Sequence, residues 1–328
     1  MHSDNIYLDL QNLAPVCVSV YSRVDHFKNC IESLLANELA KHTTIYIFSD
    51  GAKPGDEEAV SKVRAYARSI TGFKDVKLIF QKNNDYSKNM KDLYQKGFEM
   101  NGKIILMEDD VIVQKFFLNF MNLALNVYEK KDKIFCINGY VGPENHLDES
   151  EDLQACHLAE GSGVGLWEKK YFDFLSHYKS NHPWIKLKKN ISYLVKFIFN
   201  YGINLVLIYK KMYDNNLFYH DYILIEYLYQ KKKIALMPPS TLTLNKGYDG
   251  SGLNCKISNE FNNEKFLRRL DKLNYPAEFS KKSAFYTTQR SLKYRRLKPN
   301  FVRQLYILIA YIYKPPEIIR NFFKQIGF

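Results

Sequence analysis

The chain has 328 residues, 46% of them hydrophobic and 25% charged, a balance that supports a buried core and excludes wholesale disorder or a peptide-sized module. Its 47 Lys and Arg against 35 Asp and Glu give a formal net charge of +12, which points to a polyanionic partner such as nucleic acid, a lipid headgroup layer or a phosphorylated substrate. The charge is uneven: residues 281–328 hold eleven Lys and Arg against the single acid Glu317, so the tail carries +10 and the first 280 residues +2.

The first half alternates short β-branched runs with helical patterns, the grammar of strands joined by crossover helices in a mostly parallel sheet. Val16 to Tyr21 reads as a strand, Asp25 to Leu39 as a helix with Phe27, Cys30, Ile31, Leu34 and Leu35 on one face, and Thr44 to Phe48 as the next strand. Asp56 to Ile70, Tyr86 to Met100 and Phe116 to Tyr128 read as helices, alternating with strands at Val76 to Phe80, Lys103 to Met107 and Ile134 to Ile137. After Gly139 the pattern turns to loops, aromatics and isolated helices, with a glycine-rich piece at 161–167 and an apolar strand at Ile234 to Met237. The expected division is a catalytic unit over 1–255 and a basic, partly helical extension over 256–328.

The five cysteines (Cys17, Cys30, Cys136, Cys156, Cys255) form no C-x-x-C pair, which suggests neither a disulfide framework nor a zinc ribbon and fits a reducing compartment. The first ten residues lack the basic start and apolar stretch of a signal peptide, and no uncharged apolar run is long enough to span a bilayer. The nearest candidate, Ile191 to Tyr209, is interrupted by Lys196, Asn200, Gly202 and Asn204 and reads as core or interfacial. No G-x-x-x-x-G-K-[ST] loop is present and no G-x-G-x-x-G follows the first strand, which disfavours a P-loop nucleotidase and a dinucleotide-binding oxidoreductase.

The strongest chemical signal is K-I-I-L-M-E-D-D-V (103–111), a strand running into Glu108, Asp109 and Asp110. Ligands of open α/β sheets bind beyond the carboxyl ends of the strands, and adjacent carboxylates become tolerable around a hard divalent cation. A solvated acidic loop is the alternative. V-S-V-Y-S-R-V-D (18–25) ends the first strand in Arg23, either a phosphate or base contact or a surface cation, with Asp25 placed as a helix cap. I-F-S-D-G-A (47–52) brings Asp50 and Gly51 to the same edge, where Asp-Gly is also an ordinary turn. In F-Y-H-D-Y-I-L-I-E-Y-L-Y (218–229), Asp221 precedes an apolar helical run, as a cap, a general base, or both. N-K-G-Y-D-G-S-G-L-N-C (245–255) is too rich in Gly and Asp for a core element and reads as a shaped loop.

Taken in order, V-Y-S-R (20–23), S-D-G (49–51), the E-D-D triplet, K-F-F-L-N-F-M (115–121), I-N-G-Y (137–140), G-V-G-L-W (163–167) and D-G-S-G-x-x-C (249–255) make the chain resemble inverting glycosyltransferases of the GT-A fold. The likeness is to bacterial family 2-like enzymes similar to N-acetylglucosaminyltransferase I, and it runs from about Pro15 to Cys255. It implies an α/β fold with a mostly parallel central sheet flanked by helices, and a hexosyl- or N-acetylhexosaminyltransferase activity using a UDP-linked donor. By the same resemblance Tyr21, Arg23 and Asp50 contact the nucleotide, Glu108 and Asp109 the donor's ribose and sugar, and Asp110 a Mn2+ or Mg2+ ion under the diphosphate. Asp221 is then the base, and Gly163, Gly165 and Trp167 line the sugar and acceptor pocket, with Trp167 as a stacking surface. N-N-D-Y-S (83–87), His220 and Asn254 depart from the family pattern.

The acceptor implied is a glycan or lipid-linked glycan of bacterial surface polysaccharide synthesis, which puts the chain in the cytoplasm on the inner face of the plasma membrane. The basic, Tyr- and Leu-rich segment 281–328 fits peripheral association with an anionic membrane; a solvated basic helix packed on the body is the alternative. The near-neutral body speaks against nucleic acid, so no nucleic-acid partner is expected. A catalytically silent donor-binding domain joined to a basic nucleic-acid- or membrane-binding tail is the competing reading.

Overall fold

The computed structural model describes residues 8–141, 152–156, 163–180, 182–252, 257–258, 265–266, 270 and 273–276. The expected segment 281–328, Cys255 and Asn254 lie outside them. The chain is a mixed α/β protein with a large central sheet flanked by helices.

Strands β1 (Val16–Val20), β2 (Thr44–Ser49), β3 (Asp75–Phe80) and β4 (Lys103–Glu108) alternate with helices α1 (Val24–Leu35), α2 (Glu57–Ser69) and α3 (Tyr86–Phe98). All four strands pair in parallel, in the order β3-β2-β1-β4. Beyond β4 the sheet stays mostly parallel, with two strands running against the other six. Strand β8 (Val164–Trp167) runs antiparallel between β4 and β6 (Ile134–Asn138), followed by β9 (Ile234–Met237) and β7 (Gln154–Cys156). Two further three-residue strands, β5 (Val111–Val113) and β10 (Thr243–Asn245), form a separate antiparallel pair. Runs of three residues are too short to display the period-2 alternation that marks a strand in sequence.

The side chains of β1, β2 and β4 alternate between two cores. Val16, Val18, Ile45, Ile47, Ile105 and Met107 face α1, α2 and α4 (Phe117–Val127). Cys17, Tyr46, Phe48 and Ile104 face α3 and the aromatic-rich helices α5 (Glu168–Ser180), α6 (Pro183–Lys189), α7 (Ile191–Tyr201), α8 (Ile203–Asp214) and α9 (His220–Lys231). The apolar stretch 191–209 is thus two helices broken at Gly202, whose φ of +83° suits a residue without a β-carbon. Among the described residues no helix is long and apolar enough to cross a membrane. Leu270, Leu273 and Tyr275 are buried in the first core, and Tyr128 Oη donates to the Pro276 carbonyl at 2.9 Å. The packing of the body therefore continues past the boundary expected at residue 255.

Candidate active site at the carboxyl edge of the sheet

Parallel pairing sets the site. Ser19 of β1 lies beside Glu108 of β4 and Val20 beside Ser49 of β2, so the loops leaving all three strands emerge together at the ligand edge of the sheet. Arg23 closes the first loop at the N-cap of α1, while Asp25 lies in the first helical turn and is not the cap. The Arg23 guanidinium reaches across to β4, where Nη2 contacts Asp109 Oδ1 and lies 2.8 Å from Asp110 Oδ2. Asp109 and Asp110 are 4% and 5% exposed. Burial opposes the charge on Arg23, but Asp109 and Asp110 outweigh it and hold the guanidinium above its ordinary pKa. Burial, joined by the charge of Asp110, pushes the Asp109 carboxyl up against the lowering by Arg23.

The other oxygen of Asp110, Oδ1, is buried with no hydrogen-bond partner. A buried carboxylate oxygen left bare is costly, and a hard divalent cation is the ligand chemistry that it fits. Among the described residues no cluster of three or more His, Cys, Asp or Glu surrounds it, so further ligands would come from substrate and water.

Glu108 keeps exposed surface at the end of β4 while protein crowds its carboxyl. Loss of solvent, then the charges of Asp110, Asp221 and Asp109, push its pKa up to about 8, against a smaller opposing effect of Arg23. That coupling also brings Asp221 to the site. Asp221 sits in the first turn of α9, whose N-cap is Tyr219 with no side-chain capping bond. Its side chain is 68% exposed, and among the described residues its ion-pair neighbour is His220 Nδ1 at 3.7 Å. The capping role is therefore not what holds Asp221 there.

A loop after β10 closes over the acids. Pairing of Asn245 with Val111 starts it, and Lys246 N donates to the Asp110 carbonyl at 2.8 Å. A β-carbon on Gly247 would stand 2.1 Å from Asp110 Oδ2, so only glycine lets the loop lie this close. Asp249 fastens the far end: it accepts from Ser251 N at 2.9 Å, and His26 Nε2 lies 2.9 Å from its Oδ2. The Ser251 hydrogen bonds, with help from His26, pull Asp249 down to about 2.

The remaining expected residues divide by what already holds them. Asp50 accepts from Gly51 N at 2.8 Å, Asp85 N at 2.9 Å and Asn84 Nδ2 at 3.1 Å, and is 5% exposed. Its carboxylate ties the end of β2 to the 83–85 turn, and N-N-D-Y-S supplies the donors. The Tyr21 hydroxyl donates to Asp56 Oδ2 at 2.7 Å and accepts from Lys53 N at 2.9 Å, bracing the loop before α2. Trp167 is not a stacking surface: it is 4% exposed, its Nε1 donates to the Leu125 carbonyl at 3.0 Å, and Lys170 Nζ lies 3.7 Å from its ring centroid. Gly165 is packed under Leu125, and Gly163 under Thr243 and Phe117, so both serve the sheet and not a pocket wall. Tyr86, at the start of α3, was not expected. Its phenol is raised by crowding and then by the charges of Glu108 and Asp221.

No family model matches the sequence, and no curated protein matches it. Among solved structures it is similar to a mannosyltransferase from Pyrobaculum calidifontis in complex with GDP-Man and Mn2+, at 10% identity over 50% of this chain and 48% of that one, TM-score 0.37. It is similar to GalNAc-T7 with UDP, GalNAc and Mn2+, at 10% identity over 70% and 43%, TM-score 0.42. TarS of S. aureus matches at 13% identity over 49% and 29%, TM-score 0.34. The chain spans less than half the length of each. At these scores the likeness carries no weight, and the chemistry of the site rests on its own residues.

Proposed function

We propose that the chain is a glycosyltransferase that moves a sugar from a nucleotide-sugar donor to a hydroxyl of a glycan or lipid-linked glycan. One observation carries this reading: Arg23, Glu108, Asp109 and Asp110 converge at the carboxyl edge of β1 and β4, and the exposed carboxylate of Asp221 stands electrostatically coupled to Glu108. Two carboxylate functions of different character are thereby separated. Glu108, whose carboxyl is pushed up by crowding and by its acidic neighbours, stands where it would contact the donor's ribose or sugar. Asp221 accepts the proton of the acceptor hydroxyl as that oxygen attacks the anomeric carbon, and a single displacement inverts the configuration there.

Asp110 is the residue that would hold a divalent cation, Mn2+ or Mg2+, through its bare Oδ1. Such a cation, when bound, offsets charge on the departing nucleoside diphosphate. Arg23 keeps Asp109 and Asp110 together and orients them. The loop 245–251, held by Gly247 and Asp249, limits water at the acids. A UDP-linked donor and a bacterial family 2-like enzyme follow from the sequence resemblance; the narrower likeness to N-acetylglucosaminyltransferase I adds nothing that this geometry uses. The basic segment 281–328 is proposed to rest on an anionic membrane beside a lipid-linked acceptor, and its deletion should abolish sedimentation with anionic liposomes.

The test is turnover of a panel of nucleotide sugars with Mn2+, read as release of free nucleoside diphosphate. Asp221→Asn should lower the rate by about 10²- to 10⁴-fold while leaving donor binding intact. An unchanged rate, or a product of retained configuration by NMR, contradicts Asp221 as the base of a single displacement.

A further inference from the structure

The acids at the carboxyl edge already have a cation. Arg23 Nη2 contacts Asp109 Oδ1 and lies 2.8 Å from Asp110 Oδ2, so one guanidinium nitrogen serves two carboxylates. The acids are sealed in. Asp109 and Asp110 are 4% and 5% exposed, and Gly247 lies so close that a β-carbon on it would stand 2.1 Å from Asp110 Oδ2 and 3.0 Å from Arg23 Nη1. Arg23 is the opening in that seal, since its side chain keeps 20% of its surface. Its Nε and Nη1 donate to no acceptor among the described residues. The guanidinium thus spends one nitrogen on the acids and leaves the rest of its fork of donors unused.

The charges of these three contacting groups decide what can bind beside them. Two carboxylates and one guanidinium leave a single net negative charge. A divalent cation taken by the bare Oδ1 of Asp110 reverses that to a single net positive charge, and it stands beside the like charge of Arg23 where solvent screens little. An anion that meets both the cation and the unused N–H groups of Arg23 removes the excess. We propose that Arg23 is a resident counter-ion that keeps the divalent-cation affinity of Asp110 low until a diphosphate arrives, so that cation and diphosphate bind together and neither binds well alone. This deepens the glycosyltransferase reading and rests on it for the diphosphate, while the role of Arg23 toward the cation can be tested with no nucleotide and no turnover. It gives Arg23 a task beyond holding Asp109 and Asp110 in place: the site fills with a metal–diphosphate complex and not with free metal.

The experiment uses the full chain. Binding of Mn2+ alone is read from the EPR signal of the free ion, and thermal stabilisation is read for Mn2+, pyrophosphate and UDP, singly and together. Arg23→Met leaves both acids to the metal, and its affinity for Mn2+ alone should exceed that of wild type by about tenfold or more. Asp109→Asn removes a carboxylate and keeps Arg23, so it should weaken Mn2+ alone; simple loss of structure would not move the affinity in opposite directions at two contacting residues. Arg23→Lys keeps the charge and should stay near wild type, and Arg23→Gln repeats the test if Arg23→Met does not fold. In wild type, Mn2+ together with either diphosphate should stabilise by more than the separate effects added, because the coupling is reciprocal, and in Arg23→Met that excess should shrink. Mn2+ affinity that does not rise in Arg23→Met or Arg23→Gln, or a wild type in which metal and diphosphate act additively, overturns the proposal. If UDP and Mn2+ bind jointly and the arginine variants leave the affinity for Mn2+ alone unchanged, the counter-ion role fails and the donor reading stands. If pyrophosphate shows the coupling and no nucleotide stabilises the protein, the donor reading fails and the counter-ion role stands.

Discussion

Arg23 and Asp110 are joined across the β1 and β4 loops by an ion pair, Nη2 to Oδ2 at 2.8 Å, and the same guanidinium nitrogen also holds Asp109. Two nearly buried carboxylates thus share one cation, and removing it leaves both without compensation.

Arg23→Met is therefore expected to cost about 2 kcal/mol at pH 7, less than for a fully buried pair because Arg23 is partly exposed. Losing the cation removes what lowers Asp109, so its folded pKa rises further above the unfolded value. Stability from a raised carboxyl is present at low pH and lost as pH rises through the folded value. The variant's deficit in urea unfolding should be larger at pH 8 than at pH 5; equal deficits would contradict the pairing.

Glu108 provides a second pH signature. Its folded value of about 8 lies above the ordinary 4.5, so between these two values the folded protein holds a proton that the unfolded chain releases. Wild-type stability should fall as pH rises through this window, and Glu108→Gln should flatten that slope. A slope unchanged by the substitution would assign it to other groups.

Trp167 separates core from site. Trp167→Phe removes the Nε1 bond to Leu125 and part of the ring, and should cost about 2–3 kcal/mol in denaturant unfolding. The affinity for donor and acceptor should not change. A selective rise in KM with unchanged stability would restore Trp167 to the pocket.

Much of the fold is legible because β1 to β4 and α1 to α3 are periodic segments, read close to their observed bounds except that α1 ends at Leu35 and not at Leu39. The antiparallel insertion of β8 is not, since V-G-L-W carries a glycine that lowers strand propensity and is needed for the side chain of Leu125. The acids after β4 are readable as a local run, and Arg23 as the end of a strand. Their ion pair depends on the β1–β4 register, which no local pattern encodes. Asp50 illustrates the converse: its motif is visible, but its carboxylate is taken up by the 83–85 turn, through contacts made from 34 and 35 residues away. Tyr86 carries no sequence signal at all, because its coupling to Glu108 and Asp221 depends on how α3 and α9 pack, through Tyr94 and His220.

The most direct measurement is thermal stabilisation of the protein by UDP, GDP and their sugar conjugates, with and without Mn2+ or Mg2+, for wild type and Asp110→Ala. The account predicts a metal-dependent rise of about 4 °C or more with one nucleotide class at saturating ligand, absent in the variant. No shift with any nucleotide, or one that survives Asp110→Ala unchanged, would contradict the Arg23–Asp110 edge as the donor site.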